Sequence, residues 1–209
     1  MLNLIRKDLI MALSNRFYII STLLFPLLLM FLVDFKLNEQ IIAIMIYAMS
    51  SFLLNLSFYY EEKSKPQILI QSLPIRKREI VFSKYLMVFF CYLIGIIYVG
   101  LALWLAKFLG YSLHANINIP MIKITLPIVL IHQSIILPLS FGISDRLANA
   151  ISTGLLVFVN NTYLTYNFER TSRRLLNNSN RFSVALIVIL ILVISNIVSI
   201  VLYENKELT

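Results

Sequence analysis

The sequence predicts an all-α integral membrane protein with six transmembrane helices and an N-terminal helix at the membrane interface. Of its 209 residues, 59% are hydrophobic and only 13% are charged. The mean hydropathy is +0.84, whereas a soluble domain is about half apolar and a quarter charged. The charged residues are also gathered between apolar runs, which is the arrangement of a multi-pass membrane protein.

Residues 1–16 form the first predicted element. Leu2, Ile5, Leu9 and Leu13 lie near one face of a helix, and most of the polar side chains lie elsewhere. An amphipathic helix of this kind lies in the membrane interface. The alternative is a plain helical extension of the first span.

Six apolar runs are long enough, or nearly so, to cross a hydrocarbon core about 30 Å thick, because a helix rises about 1.5 Å per residue. The fourth run contains Pro127 and Pro138, and the fifth contains Asn160 and Asn161. Kinked or partly re-entrant segments are therefore alternatives for these two. The six runs are residues 17–33, 40–60, 85–109, 121–141, 147–164 and 182–203.

The distribution of Lys and Arg predicts that both termini are cytoplasmic, because more of these residues fall on that side of the six spans. Residues 61–84 then form a cytosolic segment and residues 165–181 an extracellular loop. The loop is rich in arginine, which opposes this orientation. Either the early loops determine the topology, or the fifth run does not span. Residues 1–209 are predicted to form one transmembrane domain.

Composition and motifs exclude several functions. The net charge of +8 is explained by basic residues beside apolar spans, where they meet anionic lipid headgroups, so no nucleic-acid partner is expected. Cys91, His114 and His132 have no partners at metal-ligand spacing, so no metal site is predicted. No phosphate-binding loop or hydrolase motif occurs. We therefore expect no catalysis in this chain. A membrane-embedded enzyme would need acidic residues near His132, and only Asp145 is close in sequence.

The segment 61–84 is the part of the chain most suited to meet a soluble partner. Pro66 and Pro74 bracket a short apolar piece, and Pro74 holds Leu73 in extended geometry. A new helix is predicted to start after Pro74. Glu79 falls in its early turns, where it favours the helix dipole, and the helix leads directly into the third span.

This segment carries a family resemblance. Residues 72–81 read S-L-P-I-R-K-R-E-I-V, and Ser83, Lys84 and Tyr85 follow. This order resembles the signature S-L-P-x-S-R-x-E-I-V-x-x-K-Y of type-2 ABC exporter permeases. Arg76 stands where family members often have a serine that caps the helix. Chain length, span count and the N-terminal interfacial helix are also similar to those of this family.

The resemblance implies a permease subunit that pairs with a second permease, identical or related, and with separate cytosolic ATP-binding subunits. ATP and Mg²⁺ would bind in those subunits, and this chain would hold no cofactor. In this family the connection between spans two and three carries a cytosolic coupling helix, which sits in a groove of the ATPase. The alternative is an ordinary basic loop near anionic lipid. The residues implied for the ATPase contact are Leu73, Pro74, Ile75, Arg76, Lys77 and Glu79.

The cargo is not specified by these residues. The chain is similar to small permeases that export peptides or antimicrobial compounds, including the exporters of phenol-soluble modulins, and this implies a peptide or amphipathic cargo. The composition and the resemblance together indicate a bacterial cell membrane. The competing hypothesis is a free-standing membrane immunity or structural factor that works without an ATPase.

Five polar residues fall at predicted membrane depth, where each needs a partner. They are expected either to join neighbouring helices by hydrogen bonds or to line a substrate path. These residues are Asn55, His132, Gln133, Asn160 and Asn161.

Overall fold

The computed structural model describes residues 6–7, 20, 24, 26, 28, 30, 38–64, 76–111, 117–142, 145–159 and 178–205. Within these residues all regular secondary structure is helical, which confirms the predicted all-α class. The helices are α1 (Glu39–Ser64), α2 (Lys77–Phe108), α3 (Ile119–Gly142), α4 (Asp145–Val159) and α5 (Asn178–Asn205).

Helix α1 begins with a side-chain cap. The Oδ1 atom of Asn38 accepts a hydrogen bond from the backbone N–H of Ile41 at 2.9 Å, and Glu39 lies in the first turn. Both features stabilise the start of a helix, because they satisfy a free N–H group and place negative charge at the positive end of the dipole. The centre of α1 is fully buried, with Ile46 and Tyr47 at 0% exposure.

Helix α2 is longer than the third predicted span. It has 32 residues and begins eight residues before Tyr85, so the predicted cytosolic helix and the span are one continuous helix. Its end is a glycine turn. Gly110 has a φ of 89°, and the N–H groups of Gly110 and Tyr111 donate to the carbonyls of Lys107 and Ala106 at 3.0 and 3.2 Å. This pair of bonds needs a left-handed residue, and glycine adopts that conformation without strain.

Helices α3 and α4 differ in length. Helix α3 has 24 residues and continues through Pro127 and Pro138, although each proline removes one backbone hydrogen bond. Helix α4 has 15 residues and is therefore about 22 Å long, which is short of a hydrocarbon core of about 30 Å. Its sequence counterpart, the fifth run, extends to residue 164, beyond the described part.

Three helices in the described residues are long and apolar enough to cross a membrane, namely Lys77–Phe108, Ile119–Gly142 and Ser183–Asn205. They correspond to the third, fourth and sixth predicted spans, and they make the chain a multi-pass membrane protein. Shorter apolar helices, Glu39–Asn55 and Ala150–Val159, lie at the second and fifth. The first span and the interfacial helix lie almost entirely outside the described residues, so the count of six stays a prediction.

Contacts between helix ends establish which ends lie together. At one end of the bundle, Asn118 donates a hydrogen bond to the carboxylate of Glu39 at 3.2 Å, which joins the starts of α3 and α1. At the other, the rings of Phe141 and Tyr203 meet edge to face at 5.3 Å, which joins the ends of α3 and α5. We call the first the Glu39 end and the second, after the residue that follows Tyr203, the Glu204 end.

A glycine allows α1 and α2 to approach closely. Gly95 of α2 is buried, and a Cβ atom added there would lie 3.3 Å from the backbone nitrogen of Ser50 in α1. Small residues serve this purpose in membrane proteins, where helix association depends on close packing rather than on exclusion of water.

A hydroxyl network joins three helices near the Glu204 end. Tyr85 of α2 is hydrogen-bonded through its hydroxyl to Ser195 and, at 2.9 Å, to Ser199, both on α5. Ser195 in turn donates to the backbone carbonyl of Ser134 in α3. All four residues are buried, so water does not reach their polar groups. The hydrogen bonds between them therefore satisfy groups that would otherwise have no partner.

The Tyr85→Phe variant tests this network. We expect it to lower the free energy of unfolding by about 1 kcal/mol, since interhelical side-chain bonds in membranes contribute about 0.6 kcal/mol on average and up to about 1.7. Reversible unfolding of the purified protein in mixed micelles measures the change. Tyr98→Phe is the matched control, because the hydroxyl of Tyr98 bonds to none of the described residues; an equal loss in both variants would contradict the network's role.

Candidate functional site

The start of α2 at the Glu204 end is the described part of the predicted coupling helix. Arg76 is the N-cap residue, with φ −71° and ψ 136°, and its side chain makes no capping bond. The backbone N–H of Glu79 donates to the Arg76 carbonyl at 2.9 Å. Glu79 therefore lies in the first turn, as predicted, where its charge favours the helix dipole. Among the described residues, this backbone turn and the Glu79 charge stabilise the helix start in place of a side-chain cap.

Exposure changes abruptly along this first turn. Arg76, Lys77 and Arg78 are exposed, whereas Ile80 and Val81 are 9% and 0% exposed. Three cations are thus presented to solvent by a helix that enters the hydrophobic core within one turn. A protein bound to these cations would contact a surface that is rigidly continuous with the membrane bundle.

The same turn is attached to the end of α5. Lys77 Nζ donates to the backbone carbonyl of Glu204 at 3.1 Å, and Arg78 Nε forms an ion pair with Glu204 Oε1, also at 3.1 Å. The Arg78 and Glu204 side chains are 72% and 41% exposed, so this pair contributes less than about 1 kcal/mol to stability. Its main effect is to align the two helix ends.

The structure describes half of the six residues implied for the ATPase contact. Arg76, Lys77 and Glu79 share the first turn of α2. Leu73, Pro74 and Ile75 lie outside the described residues.

A second group of polar residues lies inside the bundle. Tyr47, Ser51 and Asn55 are spaced four residues apart on α1, so they form one stripe along the helix. Asn55 Nδ2 donates to the Ser152 hydroxyl of α4 at 2.8 Å. Ser51 Oγ lies 3.4 Å from Nδ1 of His132 on α3. Two residues of the predicted polar set, Asn55 and His132, therefore use this stripe to join α1 to α4 and α3.

The remaining predicted polar residues are less well placed for hydrogen bonds. Gln133 is 1% exposed, and neither of its amide atoms has a hydrogen-bond partner in the described part of the chain. The His132 ring meets the Tyr47 ring edge to face at a centroid distance of 5.5 Å. Asn160 and Asn161 lie outside the described residues.

The described residues contain no cluster of three or more His, Cys, Asp or Glu side chains that could hold a metal ion.

A double-mutant cycle on Asn55 and Ser152 decides between the two roles expected for Asn55. If Asn55 joins helices, Asn55→Ala and Ser152→Ala should be coupled by about 0.6 kcal/mol and at most about 1.7. Unfolding of both single variants and the double variant in mixed micelles gives this energy. A coupling of zero would contradict the helix-joining role and favour the lining of a substrate path.

The serines that complete these contacts are not predicted from the sequence. Ser51, Ser152, Ser195 and Ser199 are buried partners of larger polar side chains. The available signal was the four-residue spacing of Ser195 and Ser199, which places both on one face of α5 toward a single tyrosine.

Three apolar helices are long enough to span a membrane, and polar contacts join them. These features define a multi-pass membrane protein. A family model supports this class: the model described as "ABC-2 family transporter protein" matches residues 3–204. The chain belongs to this family, and membrane proteins of the family generally work with ATP-binding subunits. No curated protein matches the chain, and no solved structure matches it.

Proposed function

We propose that this chain is the six-span permease subunit of a bacterial ABC exporter, with both termini in the cytoplasm. It would pair with a second permease, identical or related, and with two separate ATPase subunits. The observation that carries the proposal is the start of α2: three exposed cations on a helix that continues without a break into the membrane. The family match to residues 3–204 supports the class.

The expected mechanism starts at the ATPase. Closure of the ATP-binding subunits would move the turn that contains Arg76, Lys77 and Glu79. Because this turn belongs to α2 and is bonded to Glu204 of α5, both helices would shift together. A path would then open between the two permeases. Catalysis would belong to the partner, since this chain has no phosphate-binding loop in its sequence.

The proposed cargo is a peptide or another amphipathic compound. The polar groups of such a molecule cross a hydrocarbon core about 30 Å thick only at a high free-energy cost, so export needs a protein path. Loss of the chain should therefore make cells retain amphipathic peptides. Efflux of a fluorescently labelled amphipathic peptide from loaded cells, compared with and without the chain, measures this; equal efflux would argue against this cargo.

Copurification tests the ATPase partnership. The chain is extracted from its native membrane in a mild detergent, and the proteins that remain bound are identified by mass spectrometry. We expect an ATP-binding protein with a phosphate-binding loop, in a stoichiometric amount. Recovery of the chain with no ATPase would favour the second candidate, a free-standing immunity or structural factor.

A further inference from the structure

An apolar groove runs between α2 and α5 near the Glu204 end and plays no part in the proposed transport mechanism. Its volume is about 380 Å³, which lies within the range of small-ligand sites in proteins. Phe82, Leu86 and Phe89 line it on α2, and Val193 and Ile197 line it on α5. The groove is therefore a shaped cleft between two membrane helices.

The groove opens outward from the bundle. Phe82 and Phe89 are 46% and 43% exposed, and Val193 and Ile197 are 53% and 57% exposed. Residues of this kind on a membrane-spanning helix meet lipid hydrocarbon rather than water. The natural occupant is therefore an apolar chain that arrives from the bilayer.

Charged side chains lie beyond one end of the groove. Arg78 lies four residues before Phe82 and thus on the same face of α2, and Glu204 lies seven residues after Ile197 on the same face of α5. The Arg78–Glu204 ion pair therefore lies beyond the groove at the Glu204 end, about one turn past Phe82 and two turns past Ile197, and we call it the cap. A molecule that fits must combine a hydrocarbon tail with a polar head.

The charges at this cap favour an anionic head. Arg78 uses Nε for Glu204, and a guanidinium has four further N–H donors. Lys77 donates to a neutral carbonyl, so its charge is not cancelled by that bond. With Arg76 there are three cations in the turn, against the carboxylates of Glu79 and Glu204. Guanidinium and ammonium groups bind phosphate through charge-assisted hydrogen bonds.

The distance from the charged cap to the far end of the groove matches a single leaflet. Phe89 lies eleven residues beyond Arg78, a distance of about 16 Å along the helix, and half of the hydrocarbon core is about 15 Å. We propose that this groove binds one anionic phospholipid, with an acyl chain between α2 and α5 and the phosphate on Arg78 and Lys77. The lipid site shares Lys77 with the proposed ATPase contact, but lipid binding to the isolated protein requires neither the cargo nor the ATPase.

Native mass spectrometry of the intact protein tests the lipid site. The protein is reconstituted with equal amounts of phosphatidylglycerol and phosphatidylcholine, and the lipid that stays bound in mild detergent is identified. We expect one bound phosphatidylglycerol per chain, enriched about fivefold over phosphatidylcholine, which corresponds to one net positive charge at the surface. Equal retention of the two lipids would overturn the anionic selectivity.

Two pairs of variants locate the lipid. Val193→Trp fills the groove and should remove the bound lipid, whereas Val198→Trp is the matched control, because Val198 is an exposed α5 valine outside the groove. Lys77→Gln with Arg78→Gln should abolish the enrichment, and Lys107→Gln with Lys123→Gln, at the Glu39 end, should preserve it.

Each result decides the proposal. Equal lipid retention by the two tryptophan variants would place the lipid elsewhere. A second copy of the chain or a peptide could instead be found bound to the native protein and released by Val193→Trp. That result would assign the groove to this partner and overturn the lipid proposal. If Val193→Trp fails to fold, the glutamine pair still tests the site, because Lys77 and Arg78 are exposed and their bonds to Glu204 add little to stability.

Discussion

Reversing the charges of Arg76 and Lys77 together should reduce transport at least about tenfold, a loss of about 1.4 kcal/mol of coupling free energy. Both side chains are exposed at the start of α2, where the proposed ATPase would meet them. Cations in this place imply an acidic ATPase surface, and like charges brought together across an interface cost several kcal/mol. ATP hydrolysis should continue, but it should no longer respond to cargo. Peptide efflux and ATPase activity of the reconstituted complex measure the two effects.

Two control variants make this result specific. Lys107→Glu with Lys123→Glu introduces the same charge change at the Glu39 end, where both lysines are exposed, and it should leave transport intact. Glu204→Gln removes the ion pair of Arg78 but keeps the exposed cations. If Glu204→Gln alone reproduced the defect, the turn would act through its attachment to α5 rather than through contact with an ATPase. Unchanged transport in the Arg76→Glu, Lys77→Glu variant would remove this turn from the coupling role.

Gly95→Leu should have the largest effect on folding. Even a Cβ atom at this position would lie 3.3 Å from the Ser50 backbone nitrogen, and backbone cannot move aside as a flexible side chain can. A full leucine would force α1 and α2 apart. Overpacking of this kind lowers the free energy of unfolding by about 1–3 kcal/mol. The expected result is less folded protein in the membrane and easier unfolding in mixed micelles.

Gly154 provides the matched control for the Gly95→Leu variant. It is exposed on α4, and an added Cβ would meet no atom within 4 Å. Gly154→Leu should therefore fold as well as the native protein. Gly95→Ala should lie between the two, since only one methyl group enters the contact. A stable Gly95→Leu variant would show that the two helices have room to separate.

The position of a helix could be predicted from sequence where the ends of the helix coincide with the ends of an apolar run. The predicted spans at 121–141 and 182–203 lie within Ile119–Gly142 and Asn178–Asn205. Helix α2 begins at Lys77, eight residues before the predicted span at 85, in agreement with the helix predicted to start after Pro74 and to lead into this span. Hydropathy detects where a helix leaves the hydrocarbon, but the backbone stays helical through polar residues until a breaker or cap ends it.

The site was harder to predict because serine is ambiguous. Ser50, Ser83, Ser134 and Ser140 each donate to a carbonyl three residues earlier in their own helix, whereas Ser195 bonds across helices. Both choices are open to any helical serine. Only the three-dimensional packing decides between them, so Asn55 and His132 could be singled out from sequence but their serine partners could not.

The two long helices α2 and α3 differ in stiffness. No proline interrupts the 32 residues of α2, whereas Pro127 and Pro138 lie inside α3. A rigid helix of this length, at 1.5 Å per residue, would turn a tilt of about 5° into a displacement of about 4 Å at its far end. Its proline-containing neighbour has two built-in weak points. In the proposed mechanism, a movement of the first turn of α2 would reach the far end of that helix with little loss, whereas bending at the prolines would reduce a movement transmitted along α3.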